Sequence, residues 1–155
     1  MVVARGVNLL LAAVAVTAPA AHVLELPNKL ALDGPLWLAV QQQLYQGWGA
    51  VFGPVEIAAL ATSLALLALR RGHGAAARFT WVAVTAQALM LVVFFVFNNP
   101  VNIAFSSWTV ATLPADWPDY RLRWEIGHAL AAVLAVTALL ALIAAWRRDT
   151  PTVSA

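Results

Sequence analysis

Residues 126–146 read IGHALAAVLAVTALLALIAAW, an unbroken apolar run closed by Arg147 and Arg148. A hydrocarbon core of about 30 Å takes about 20 apolar residues to cross as a helix, and this stretch supplies them. Three runs of the same kind precede it, at about 6–25, 50–69 and 79–97. The second is closed by Arg70 and Arg71. The third is expected to stop at Asn98-Asn99-Pro100, because proline lacks a backbone donor and restricts the residue before it. None shows the alternation of a β-barrel strand. The expected fold is all-α, an integral-membrane four-helix bundle forming one domain over residues 1–155.

Composition agrees. Of 155 residues, 63% are hydrophobic and 10% charged, and none is cysteine. Soluble domains carry about 25% charged residues, so an ordinary soluble enzyme, a disordered tail and a disulfide scaffold are excluded. The net charge is only +2, and no basic face with interleaved aromatics offers itself to nucleic acid. Ala18-Pro19-Ala20 loosely resembles a signal cleavage site, but the first run is expected to be retained as a span.

Lys/Arg placement sets the orientation. With four spans, Arg5, Arg70, Arg71, Arg78, Arg147 and Arg148 fall on one side, and Lys29, Arg121 and Arg123 on the other. Both termini and the Arg70–Arg78 loop, with His73 as a solvated turn residue, are therefore expected in the cytoplasm. The protein is expected in the plasma (inner) membrane, with the lipid bilayer as its first partner.

Connections in helical bundles usually take about 2–8 residues, whereas the two outer ones here run over about 25–49 and 98–125. Pro35 to Trp48 follows Asp33-Gly34 and has proline at a first helical position, so an interfacial helix over about 35–48 is expected to cap the bundle. Trp108, Trp117, Tyr120 and Trp124 in the second connection suit the membrane–water boundary.

Ionisable groups are costly in a span and normally face a cavity or a partner. His22 and Glu25 end the first span on the outer side, Glu56 lies about two turns into the second, and Asn98, Asn99 and Asn102 end the third. Glu125 and His128 open the fourth. All four spans thus bring polar groups to one outer level. His22-x-x-Glu25 and Glu125-x-x-His128 each place both side chains on one helical face. Glu-x-x-His is the spacing with which soluble bundles hold two metals, but further carboxylates are lacking apart from Glu56. Two readings stand side by side. His22, Glu25, Glu125 and His128 could ligate iron or copper, leaving positions open for oxygen. Alternatively, they are hydrogen-bonded clamps between helix ends. Glu56, after Gly53-Pro54, suits general acid/base work, or a single hydrogen bond to Asn98 or Gln87. There is no cysteine nucleophile, G-x-S-x-G elbow or phosphate-binding glycine loop.

The stretch Asn98-Asn-Pro-Val-Asn102, then Trp108, Asp116-Trp117 and Arg121-Leu-Arg-Trp-Glu125-Ile-Gly-His128 resembles the anthrone oxygenase-like family of small four-span membrane proteins. The specific part covers Asn98 to His128. The first-span His22 and the long first outer loop also fit. The resemblance implies oxidation of an anthrone carbon to the quinone, with molecular oxygen as co-substrate. It carries over Asn98, Asn102, Arg121, Arg123, Trp124, Glu125 and His128. Ala129–Ala132 follow His128 where many relatives carry an arginine, so an anion partner is missing here.

The expected function is a membrane oxygenase or oxidoreductase for a hydrophobic, aromatic small molecule. Glu125 and His128, with His22, Glu25 and Glu56, are the candidate catalytic residues. Asn98, Asn99, Asn102, Arg121, Arg123 and Trp124 are the candidate substrate contacts. The alternatives are a binding or proton-coupled transport protein using Glu56, or a non-catalytic subunit docking a partner through the outer loops. A homo-oligomer is compatible with each.

Overall fold

The computed structural model describes residues 2–69 and 74–149. Arg70, Arg71 and His73 lie outside the described residues. Apolar runs and the expense of an unpaired backbone in lipid produce six α-helices among the described residues: α1 (Val2–Leu30), α2 (Gly34–Ala39), α3 (Trp48–Leu69), α4 (Gly74–Val93), α5 (Asn99–Ser106) and α6 (Trp117–Asp149). Short π-helical turns, Val40–Leu44 and Phe94–Asn98, follow α2 and join α4 to α5. Four continuous helical stretches are long and apolar enough to cross a membrane: Val2–Leu30, Trp48–Leu69, Gly74–Ser106 and Trp117–Arg148. The all-α four-helix architecture is as expected.

Helix α6 packs against both α1 and α4, and α3 packs against the same two. The four therefore form a ring in which α3 and α6 lie across from each other. Arg5, Leu66, Thr80 and Trp146 surround a void of about 10 Å³, which places the start of α1 beside the end of α6. This is the terminal end of the bundle, and the long connections make the loop end. The interior near the terminal end is built from Ala12, Ala83, Ala86, Ala138, Ala141 and Leu142, small side chains that let backbones approach where lipid gives no hydrophobic drive. Asn8 ties α1 to α3, its Nδ2 lying 3.2 Å from the Ala59 carbonyl, 2.8 Å from Thr62 Oγ1 and 2.9 Å from Ser63 Oγ.

The helices overrun their expected ends. At 1.5 Å per residue, the 29 residues of α1 span about 44 Å, with Pro27 inside the last turns. The exposed carbonyls there are satisfied by Arg121, whose Nη1 donates to Lys29 and Leu30 at 3.2 Å each and to Leu32 at 3.1 Å. A cation at a helix C-terminus also opposes the helix dipole favourably. Pro100 likewise fails to end the third span. Its missing N–H would have served the carbonyl of Val96 four residues earlier. Arg123 Nη2 donates to that carbonyl instead, at 2.5 Å, and the π-turn absorbs the change of register.

The interfacial segment is shorter and less regular than expected. Asp33 caps α2, its Oδ1 accepting from Leu36 N at 2.9 Å. The helix yields to the π-turn at Val40, and Trp48 already belongs to α3. Trp37, Leu38, Val101, Phe105 and Trp124 form a second core, flanked by Trp108, Trp117 and Tyr120. The aromatics expected at the membrane boundary thus bind the two connections into one cap. Gly34 permits this closeness, since a Cβ there would lie 2.5 Å from Leu113 and 2.9 Å from the Trp117 ring.

Candidate functional site

The extra turns of α1 and α6 bring their polar faces together beneath the cap. His22 of α1 and His128 of α6 have ring centroids 4.1 Å apart. Trp124 packs edge-on against both, at 4.7 and 4.1 Å. Tyr45 closes on His22 from the segment after the first π-turn, at 4.6 Å. The two His/Glu pairs read from the sequence do share one level, and the imidazoles are in contact.

Between them lies a group that the sequence reading used only for orientation. Lys29 is 3% exposed, and its Nζ donates to Glu125 Oε2 at 3.0 Å and to His22 Nδ1 at 3.4 Å. It also lies 4.8 Å from the centroid of the Trp124 ring and 5.7 Å from that of Tyr45. A buried charge needs such company, because an uncompensated one is expensive in a low dielectric. Lys29 is seven residues after His22 and four after Glu25, so it shares their helical face. Its spacing was a usable signal, hidden because the first span was expected to end near residue 25.

Lys29 Nζ sits between His22 and Glu125 of the expected metal set. Among the described residues, no three His, Cys, Asp or Glu side chains converge to hold an ion. Glu125 is engaged by Lys29, and Glu25 accepts a hydrogen bond from the Tyr45 hydroxyl. The set His22, Glu25, Glu125 and His128 expected to ligate iron or copper thus forms no metal site among the described residues, and Lys29 bridges two of its members, His22 and Glu125. Glu25 Oε2 stands 3.8 Å from His22 Nδ1, beyond hydrogen-bonding distance. Burial, reinforced by the hydrogen bond that the Glu25 carboxylate accepts from it, holds the Tyr45 hydroxyl above the usual phenol range.

A cavity of about 830 Å³ adjoins the histidine pair, within the range of about 300–1,000 Å³ usual for ligand sites. It lies between the first half of α3 (Phe52, Glu56) and the far half of α4 with its π-turn (Met90, Phe94), and reaches His22, His128 and Trp124. Helix α3 meets α4 through Leu60, Leu67, Ala77 and Val84, nearer the terminal end, which leaves the loop end open. Among the described residues, no lysine or arginine lines the cavity.

The expected substrate contacts divide. Asn98, Asn102 and Trp124 line the cavity. Asn98 Nδ2 donates to the Trp124 carbonyl at 2.9 Å, and Asn102 Oδ1 accepts from Trp124 Nε1 at 2.9 Å. Gly127 makes room for Asn98, whose amide any Cβ would strike. Arg121 and Arg123 instead serve backbone carbonyls of α1 and the π-turn, and Asn99 lies outside the lining. Among the catalytic candidates, His22, His128 and Glu56 line the cavity, whereas Glu25 and Glu125 stand behind the histidines. Sequence reasoning missed Lys29, Tyr45 and Gln41 as members of the site.

Chemically, the wall offers two imidazoles, a carboxyl and oriented amides within an aromatic enclosure. Lys29 Nζ lies 3.4 Å from His22 Nδ1, and an ammonium there would require the lone pair on Nδ1 and the proton of a neutral His22 on Nε2. His128 makes ring contacts with His22 and Trp124 but no hydrogen bond among the described residues, so its lone pair is available at the cavity wall. No family model, curated protein or solved structure matches this chain.

Proposed function

We propose that this protein is an integral-membrane oxygenase for an uncharged, hydrophobic aromatic molecule of the anthrone type. The observation that carries this reading is the His22/His128 pair on the wall of a large aromatic cavity without cationic lining. The substrate reaches the cavity from the bilayer, beside Phe94 and Ile57. His128 accepts a proton from the acidic CH₂ beside the ring system. The carbanion gives its electrons to molecular oxygen, forming a C–O bond, and the proton returns to give a hydroperoxide. Loss of water breaks the O–O bond and the second C–H bond, leaving a carbonyl. One substrate and one dioxygen thus become one ketone and one water. Asn102 supplies an N–H to the negative charge that develops on the ring oxygen. Lys29 and Glu125 fix the position of His22 and so set its contact with His128. The arginine distribution supports termini on the cytoplasmic side of a plasma (inner) membrane.

The test is turnover by purified protein in lipid nanodiscs with anthrone, followed by quinone absorbance and oxygen uptake. One-to-one consumption of oxygen and substrate, lost in His128→Ala, is expected. Binding without oxygen uptake would sink the oxygenase reading.

One observation favours a second reading. Glu56 lines the same cavity and has no hydrogen bond or ion pair among the described residues, as a proton-coupled carrier of lipophilic compounds would need. That reading has ligand affinity varying with pH, the variation lost in Glu56→Gln and kept in His128→Ala.

A further inference from the structure

Helix α3 meets the cavity with one stripe of side chains. Trp48, Phe52 and Glu56 recur at four-residue spacing, so they follow one helical face. All three line the cavity, and the Trp48 and Phe52 ring centroids stand 5.7 Å apart. Gly49 and Gly53 line it beside them, and a Cβ at either would meet nothing within 4 Å. This stretch of α3 therefore borders open space rather than another helix. Across that space, the second π-turn contributes Phe94 and Phe95.

Glu56 is the charged member of the stripe and, among the described residues, the only carboxylate in the lining. It is half-buried and makes no hydrogen bond or ion pair among those residues, and its oxygens are not sealed off. A carboxylate in a membrane segment normally has a counter-charge. The cations of this end are engaged elsewhere. Lys29 Nζ holds Glu125 at 3.0 Å, and Arg121 and Arg123 serve backbone carbonyls. None of the three lines the cavity. The wall thus combines ring faces and one negative charge with no positive charge. Ring faces attract a cation through their quadrupole, most strongly when it is desolvated, and the carboxylate adds direct Coulomb attraction. We infer that the α3 side of the cavity binds lipophilic ammonium ions. The cation sits beside Glu56 and Phe52, and its hydrocarbon part extends toward Phe94. This goes beyond both readings above, and it requires neither turnover nor transport. It gives the cavity a second class of ligand, opposite in placement to a neutral aromatic at His128, because α6 lies across the ring from α3.

The experiment uses the full chain in nanodiscs of zwitterionic lipid and equilibrium dialysis, corrected for partition into empty nanodiscs. The probes are a naphthylmethyl-trimethylammonium ion, its uncharged tert-butyl isostere and the corresponding sulfonate. At about pH 8, well above the ordinary carboxylate range, the wild-type protein should hold the ammonium about tenfold or more tighter than the isostere. The sulfonate should bind weakest. Glu56→Gln should bring ammonium and isostere to within about twofold of each other, through loss of the ammonium alone. Phe52→Leu should cut the preference by about threefold or more, and it carries the comparison by itself if Glu56→Gln does not fold. Glu25→Gln removes a loop-end carboxylate outside the lining and should leave the preference in place. A preference kept in both Glu56→Gln and Phe52→Leu would overturn the inference. Equal loss in Glu25→Gln would assign the preference to the general field of the loop end and overturn it as well. Equal binding of ammonium and isostere by the wild-type protein, or binding of neither, would also overturn it. Anthrone turnover, measured separately, would still decide the function proposed above.

Discussion

At the terminal end of the bundle, alanines bring α1, α4 and α6 into close contact, and the void beside Asn8 is about 10 Å³. At the loop end, the same helices enclose about 830 Å³ and hold an ammonium, a carboxylate and two imidazoles. Asn8 has three acceptors within reach, while Gln41 has no partner. One ring of helices is thus closed by small side chains at one end and propped open by aromatic and charged ones at the other. The contrast teaches that packing and chemistry are segregated along the bundle axis. Substitutions at the two ends should therefore fail in different ways.

The largest effect is expected at the open end and in rate alone. His128→Ala should lower turnover about a hundredfold to ten-thousandfold, the range typical of a lost general base, with little change in melting temperature. A comparable loss from Ala138→Leu, measured per folded molecule, would break the division. Lys29→Met comes next and acts on stability. It strands Glu125 in the interior, so unfolding in mixed micelles should show a loss of about 3–5 kcal/mol. The double variant Lys29→Met/Glu125→Leu should regain most of it. A loss no larger than that of an exposed substitution would show that the pair is solvated. At the closed end, Ala138→Leu should overfill a site that is 1% exposed and cost about 1–3 kcal/mol, with turnover per folded molecule retained. The smallest effect concerns Tyr45. A phenol ionises near about 10 in an unfolded chain and higher in this fold. The folded state therefore retains the proton longer, and the stability it gives is complete below about pH 10 and falls as the pH rises further. Tyr45→Phe should flatten that decline in melting temperature.

Four spans could be read directly from apolar length, because lipid forces the backbone into helices and tolerates few charges. Their ends could not. Pro27 and Pro100 carry stop signals in sequence, and the groups that override them, Arg121 and Arg123, arrive from α6, about a hundred and about twenty residues away along the chain. The His22/Glu25 and Glu125/His128 pairs were visible because three-residue spacing is a property of one helix. Their bridging by Lys29 depends on how α1 and α6 meet, which no single helix encodes. Gln41 carries no signal in sequence that sets it apart from Gln42 and Gln43. Two residues apart in one helical segment, Gln41 is turned inward and Gln43 stays exposed.

The π-turns have a consequence for how the chain can change. A π-turn holds one residue more than an α-turn, so it is a phase slip of about 100° in everything downstream. Deleting Phe97, which does not line the cavity, would rotate Asn102 and the rest of α5 off the cavity wall without removing any side chain from that wall. Gain or loss of one codon is thus a discrete step between a cavity with the Asn102 amide on its wall and one without it. Length, as much as composition, is the variable by which this scaffold can acquire or discard its amides.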